Sequence, residues 1–302
     1  DDTLASRAHL ARAPRKKAQR LLSKRLDEKH YSQLLERLDV PDAARLRSCG
    51  GPLAAGWQLA STDGPGELLT DRDYETTARA LLGQDLAPSD CSTCRNRRRT
   101  GVRQGTLCGA PLCSKANHSY LCAVGGGFVA RSAALERVWT RIHLECGFAV
   151  DSAVYEPAWD RWVWHCAAPG CNAHGTAWLR PGLCSHCGAP ADSRLETAIL
   201  DLEVRSAEVP KLYLDVTVRH PAGTDQTRLQ RAARESGATN AEAEGDKRDR
   251  YPSRQSPNPA LPLALETYGR HSRAALRHLR KLARAQAARL EEGNSEAAAG
   301  LL

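Results

Sequence analysis

The chain has 302 residues, 41% of them hydrophobic, with a formal net charge of +8 and a pI near 9.0. That length suits one large domain or two modest ones, and the basic balance favours a polyanionic partner. No apolar run is long enough to span a membrane, and the opening "DDTLASRAHLARAPRKK" lacks the apolar segment of a signal peptide.

The chain has 11 Cys and no Met. An odd number of cysteines without a secretory signal points to metal ligation in a reducing compartment rather than to a disulfide scaffold. The lack of Met marks the chain as an expected piece of a longer polypeptide.

Residues 3–30 read as a basic helix that Pro14 kinks or breaks in two, and 31–48 as a second helical pattern broken near Pro41. The segment that follows is turn-rich. Then "DRDYETTARALL" (71–82) predicts a helix with Asp71 or Asp73 near its cap. A Cys-rich segment runs from Cys91 to Cys122. Residues 131–146 place Ala134, Val138, Ile142 and Cys146 at helical spacing. "AVDSAVYEPAWDRWVWHC" predicts strands, and a second Cys-rich segment covers 166–187. Strands are expected at 198–204, 212–218 and 261–267, with helical stretches in 224–255. A basic amphipathic helix over 270–292 closes at Gly293, packed by Leu276, Leu279, Leu282 and Leu290 or docked on nucleic acid. The expected units are a helical linker region (1–90), a zinc-binding segment (91–124), a catalytic domain (125–292) with a knuckle insertion at 164–190, and a tail (293–302).

In the second Cys-rich segment, Cys166 and Cys171 form one knuckle and Cys184 and Cys187 the other. Two paired thiolate knuckles on a short loop suit tetrahedral Zn²⁺, and four thiolates leave no open position for catalysis. His174 and His186 are possible substitutes. The first segment offers six groups for four positions. The preferred set is Cys94, Cys108, His118 and Cys122, with Cys91 or Cys113 as alternates. Arg95, Arg97, Arg98, Arg99 and Arg103 lie between those ligands, a basic loop fit for phosphate contact or simply solvated. Arg273, Arg277, Arg280, Lys281 and Arg284 offer a second basic surface on the last helix.

"LYLDVTVRHP" (212–221) carries an aspartate in the middle of a strand. Folding "AILDLEV" against it about Glu208 sets Asp201 opposite Asp215 and Glu203 opposite Tyr213. Facing carboxylates repel, and a divalent cation between them reverses that. The plain alternative is a half-solvated hairpin with a polar outer face. "AEAEGDKRDRYP" (241–252) sets Lys247 and Tyr251 on one face of a short helix, where a lysine orients water or stabilises phosphorane charge.

The run Asp201, "LYLDVTVRHP", "AEAEGDKRDRYP" and "LPLALETYGRH" resembles the restriction-like endonuclease domain, of the PD-(D/E)XK type, in reverse-transcriptase polyproteins of non-LTR retroelements. "LCGAPLCSKANHSYLCAVGGG" is similar to the zinc-binding segment preceding that nuclease, and "LRSCGGPLAAGWQLASTDGPGELLTDRDYETTARALLG" to the linker after the polymerase. The resemblance implies an α/β (α+β) fold with a restriction-endonuclease-like mixed central sheet flanked by helices. It implies Mg²⁺ on Asp201 and Asp215, with Glu156 as an assisting upstream acid. The family's lysine position holds Thr217, so Lys247 is expected to serve as a migrated lysine. Leu200 replaces the motif's Pro, and Arg131-Ser132-Ala133 stands where the family has Arg-His-Asn.

The implied activity is nicking of target DNA to prime reverse transcription. DNA, the element's own RNA and a polymerase domain of the same polypeptide are the implied partners. The implied location is nuclear, or cytoplasmic before import. No polymerase signature occurs in the chain. A zinc-stabilised nucleic-acid-binding module with a decayed nuclease core and a partner-binding scaffold are the competing expectations.

Overall fold

A computed structural model describes residues 15–56, 70–86, 92–98, 103–124, 127–206 and 211–299. Pro14, Cys91, Arg99 and Glu208 lie outside these residues, so the expectations placed on them do too. The described residues form a mixed α/β structure with eight helices and two sheets.

The first helix, α1, spans Arg15–Arg37, and α2 spans Val40–Cys49. The expected boundary at residue 30 is therefore wrong: one helix runs through it. The break expected near Pro41 is present: α1 ends at Arg37 and α2 begins at Val40, with Pro41 in its first turn, where its missing N–H costs nothing. Asp39 caps α2 by accepting the Asp42 N–H at 2.8 Å.

Helix α3 covers Asp71–Leu82, as its sequence predicts. Its cap is Thr70, one residue upstream of the expected aspartates. The Thr70 hydroxyl accepts the Asp73 N–H and donates to the Asp73 carboxylate, leaving Asp73 as the reciprocal partner. Short α4 (Asn117–Leu121) and long α5 (Gly127–Glu145) follow.

The main sheet contains β1 (Ala149–Tyr155), β5 (Ile199–Arg205), β6 (Leu212–Arg219) and β7 (Ala260–Glu266), in that spatial order. β1, β5 and β6 are antiparallel neighbours, and β7 runs parallel to β6. A parallel pair needs a crossover. Helices α6 (Gln226–Arg234) and α7 (Ala238–Arg250) supply it. The last helix, α8, spans Arg273–Ala299 and passes through Gly293 instead of stopping there.

Alternation along the strands sends Leu202, Val204, Leu214 and Val216 to one face, where they pack with Trp139 of α5, with Cys146 just beyond it, and with Ala275 and Leu282 of α8. Leu282 is buried and Leu279 packs against this core, while Leu290 is exposed. On the other face Tyr213 meets Trp159 and Tyr251. Trp159 belongs to a short 3-10 turn (Pro157–Trp159) and donates its indole N–H to the Pro252 carbonyl at 3.1 Å. The central strands β5 and β6 are thus covered on both sides, burying Glu203 and Asp215, whereas Asp151 and Ser152 on the edge strand β1 are exposed.

Between β1 and β5 the chain leaves the main sheet and builds a small antiparallel one. It is made of β3 (His174–Ala177), β2 (Arg161–Cys166) and β4 (Ala191–Glu196), with β2 central. Residues 40–49, read from sequence as linker, dock on the crossover: Val40 and Ala44 pack with Leu229 and Ala232 of α6. Arg47 donates to the Ala233 carbonyl, and Arg270 donates to the Arg47 carbonyl.

Candidate active site and metal centres

The β5–β6 ladder pairs Leu202 with Leu214, Glu203 with Tyr213 and Val204 with Leu212. This is the register expected for the hairpin. One step further lie Asp201 and Asp215, and there the regular ladder ends. The Asp201 carboxylate reaches across instead and accepts the Val216 N–H at 2.6 Å. The two acids mark the place where the strands part.

A cleft of about 350 Å³ opens at that point, lined by Asp201, Asp215, Thr217, Lys247, Tyr251 and Arg131 among others. Asp215 is only 3% exposed, because α7 covers its face of the sheet. Lys247, projecting from the last turn of α7, meets Asp215 Oδ1 at 2.7 Å. The same ammonium lies 5.9 Å from the centre of the Tyr251 ring. Burial, and then the Asp215 charge, push the Tyr251 phenol well above its usual range, so it stays protonated as a donor beside the acid. Burial and the neighbouring Asp215 also push the Asp201 carboxyl up to about 6. Two carboxylates that disfavour each other's charge in a polar cleft suit a hard dication with oxygen ligands. Among the described residues no third His, Cys, Asp or Glu joins this pair in a compact ligand cluster. Remaining positions on an ion would fall to water or substrate oxygens.

Glu136, on α5, adds a third negative field that raises Asp201. The sequence reading passed over it. Its signal is an acid on the helix that precedes β1 and packs over β5. Glu156 lies elsewhere: one carboxylate oxygen accepts the Ala158 N–H at 3.2 Å, and the other accepts the buried Tyr213 hydroxyl. It is engaged in holding the 3-10 turn against β6 and does not line the cleft.

The two Cys-rich segments each converge on one cluster. Cys94, Cys108, His118 and Cys122 place their ligand atoms within 4.8 Å of one another, as do Cys166, Cys171, Cys184 and Cys187. Both clusters can hold a metal ion and are geometrically suited to tetrahedral zinc. Isolated bridges Thr93↔Pro111 and Arg97↔Leu107 fold the first knuckle into a hairpin, and α4 delivers His118. Cys113 stays outside: it is exposed, and its sulfur accepts the Asn117 N–H at 3.4 Å. His174 and His186 are not in the second cluster. Backbone N–H groups of Cys187 and His186 draw the Cys184 thiol down to about 7, toward the thiolate a metal requires. Arg97, Arg98 and Arg103 are exposed near the first cluster, and Arg277 and Arg280 are exposed on α8.

No protein-family model matches the chain, and no curated protein or solved structure matches it. Among the described residues no helix is long and apolar enough to cross a membrane.

Proposed function

We propose that the chain is a Mg²⁺-dependent DNA endonuclease, stabilised by two structural zinc ions. The observation that carries this reading is the meeting of Asp201, Asp215, Lys247 and Tyr251 in one cleft where β5 and β6 part. Asp201 and Asp215 would hold the ion, which supplies charge neutralisation at the phosphodiester and an activated water when bound. Lys247 reaches the same cleft from α7, although the lysine of the resembled family would stand at Thr217. Its ammonium would offset charge developing on the attacked phosphate and orient the attacking water. Tyr251 buttresses Lys247 through its ring and Asp215 through its hydroxyl. The resemblance to retroelement nucleases implies a chain that would follow a polymerase and act on target DNA in the nucleus.

The reading is tested by incubating the chain with supercoiled plasmid and Mg²⁺. Nicking is expected from the wild type and is expected to vanish in Asp215→Asn. Equal nicking by Asp215→Asn would overturn the site. A second reading, binding without cleavage, draws on the closed Lys247–Asp215 ion pair, which a cation must open. It predicts salt-sensitive DNA binding with no metal-dependent nicking.

A further inference from the structure

A second concavity, of about 620 Å³, runs between the small sheet and the end of α7, beside β7 and the start of α8. Its charged lining is Arg161, Arg248, Arg254 and Arg277 against a single carboxylate, Asp249. Arg161 is fixed by Glu196 at 2.6 Å, and Arg248 by Glu244. Arg254 and Arg277 are exposed and have no acidic partner among the described residues. Trp178, half-buried after β3, forms part of the wall.

This groove adjoins the candidate active site across one shared residue. Tyr251 lines both concavities, and the consecutive residues Lys247 and Arg248 face one each. Guanidinium groups match phosphate oxygens in a planar, two-pronged way that ammonium groups do not. A cluster of them beside the candidate active site has the chemistry of a backbone track.

We propose that this arginine groove grips the phosphate backbone of the DNA on one side of the scissile bond, so that the small metal-bearing sheet acts as a clamp wall. The inference rests on the nuclease reading for its substrate. Its core claim is a DNA-binding track independent of cleavage.

The test is anisotropy of a labelled DNA duplex with the full chain, without divalent cation, across a salt series. Arg254→Ala/Arg277→Ala is compared with Arg72→Ala/Arg234→Ala, which removes the same charge from exposed positions outside the groove. Each lost phosphate contact lowers the slope of log K against log salt by about 0.9. The groove variant should lose about two such steps and bind more weakly on every sequence, while the control stays near wild type. Retained zinc content and an unchanged melting curve show that the groove variant is folded. A groove variant that binds like the control overturns the proposal, even if plasmid nicking persists. A groove variant that loses its salt slope, in a chain that never nicks, upholds the track and removes the nuclease reading instead. Arg161→Gln supplies an independent arm, expected to weaken binding in the same direction. Wild-type affinity in both variants would end the inference.

Discussion

His143 of α5 and His278 of α8 meet in the main core with Nε2 atoms 2.8 Å apart, 0% and 8% exposed. His143 Nδ1 donates to the Trp139 carbonyl at 2.6 Å, so its Nε2 accepts from His278 when both rings are neutral. Burial, then His143 and Lys281, lower His278 from 6.5 to about 4. Burial lowers His143 as well. The unfolded chain therefore binds protons more readily than the folded one. Stability is complete above the ordinary value of 6.5 and is lost progressively as pH falls toward 4. Between pH 7 and 5 the His278 proton alone costs about 2 kcal/mol, at about 1.4 kcal/mol per pKa unit. In urea melts that is a midpoint drop of about 1 M for a slope of about 2 kcal/mol/M. Trp139 is a built-in probe, its ring 6.0 Å from His278 and 6.1 Å from His143. Thiolate ligands also titrate on acidification, so the informative quantity is wild type minus His278→Phe. The variant should lose most of this pH dependence. An identical slope in both proteins would refute the neutral-pair argument.

Asp201→Asn should abolish nicking yet stabilise the fold by about 1–2 kcal/mol above pH 6. It removes a charge disfavoured by burial and by Asp215 while keeping an acceptor for the Val216 N–H. Because the folded carboxyl titrates above its ordinary value, the gain should fade in melts as pH falls from about 6 toward 4. Purified chain should carry metal at both clusters, and elemental analysis of Cys122→Ser and Cys184→Ser should each show the loss of about one equivalent. Retention of both ions in either variant would contradict the ligand assignment.

Local signals were legible in the sequence because local physics decides them. The helix over Asp71–Leu82 followed from its spacing and acidic first turn, and the metal ligands from their pairing. The register at Glu203 and Tyr213 followed from folding two neighbouring strands about Glu208. What stayed hidden depends on packing between distant segments. Nothing near Asp215 in sequence shows that α7 covers it, and nothing near Glu156 shows that Tyr213 takes its carboxylate. Glu136 reaches Asp201 only because α5 lies across β5. The break near Pro41 was legible because a proline suits a helix's first turn and Asp39 caps the helix there, whereas the unbroken run of α1 through residue 30 carries no such punctuation.

The small sheet interrupts the chain between two strands that must become neighbours, β1 and β5. Closing a long flexible loop costs more conformational entropy than closing a short one. With an ion on Cys166, Cys171, Cys184 and Cys187, that excursion becomes a compact pin whose ends already lie near each other. Metal supply would then govern how fast the main sheet assembles, and a metal-starved chain would fail first in folding rate.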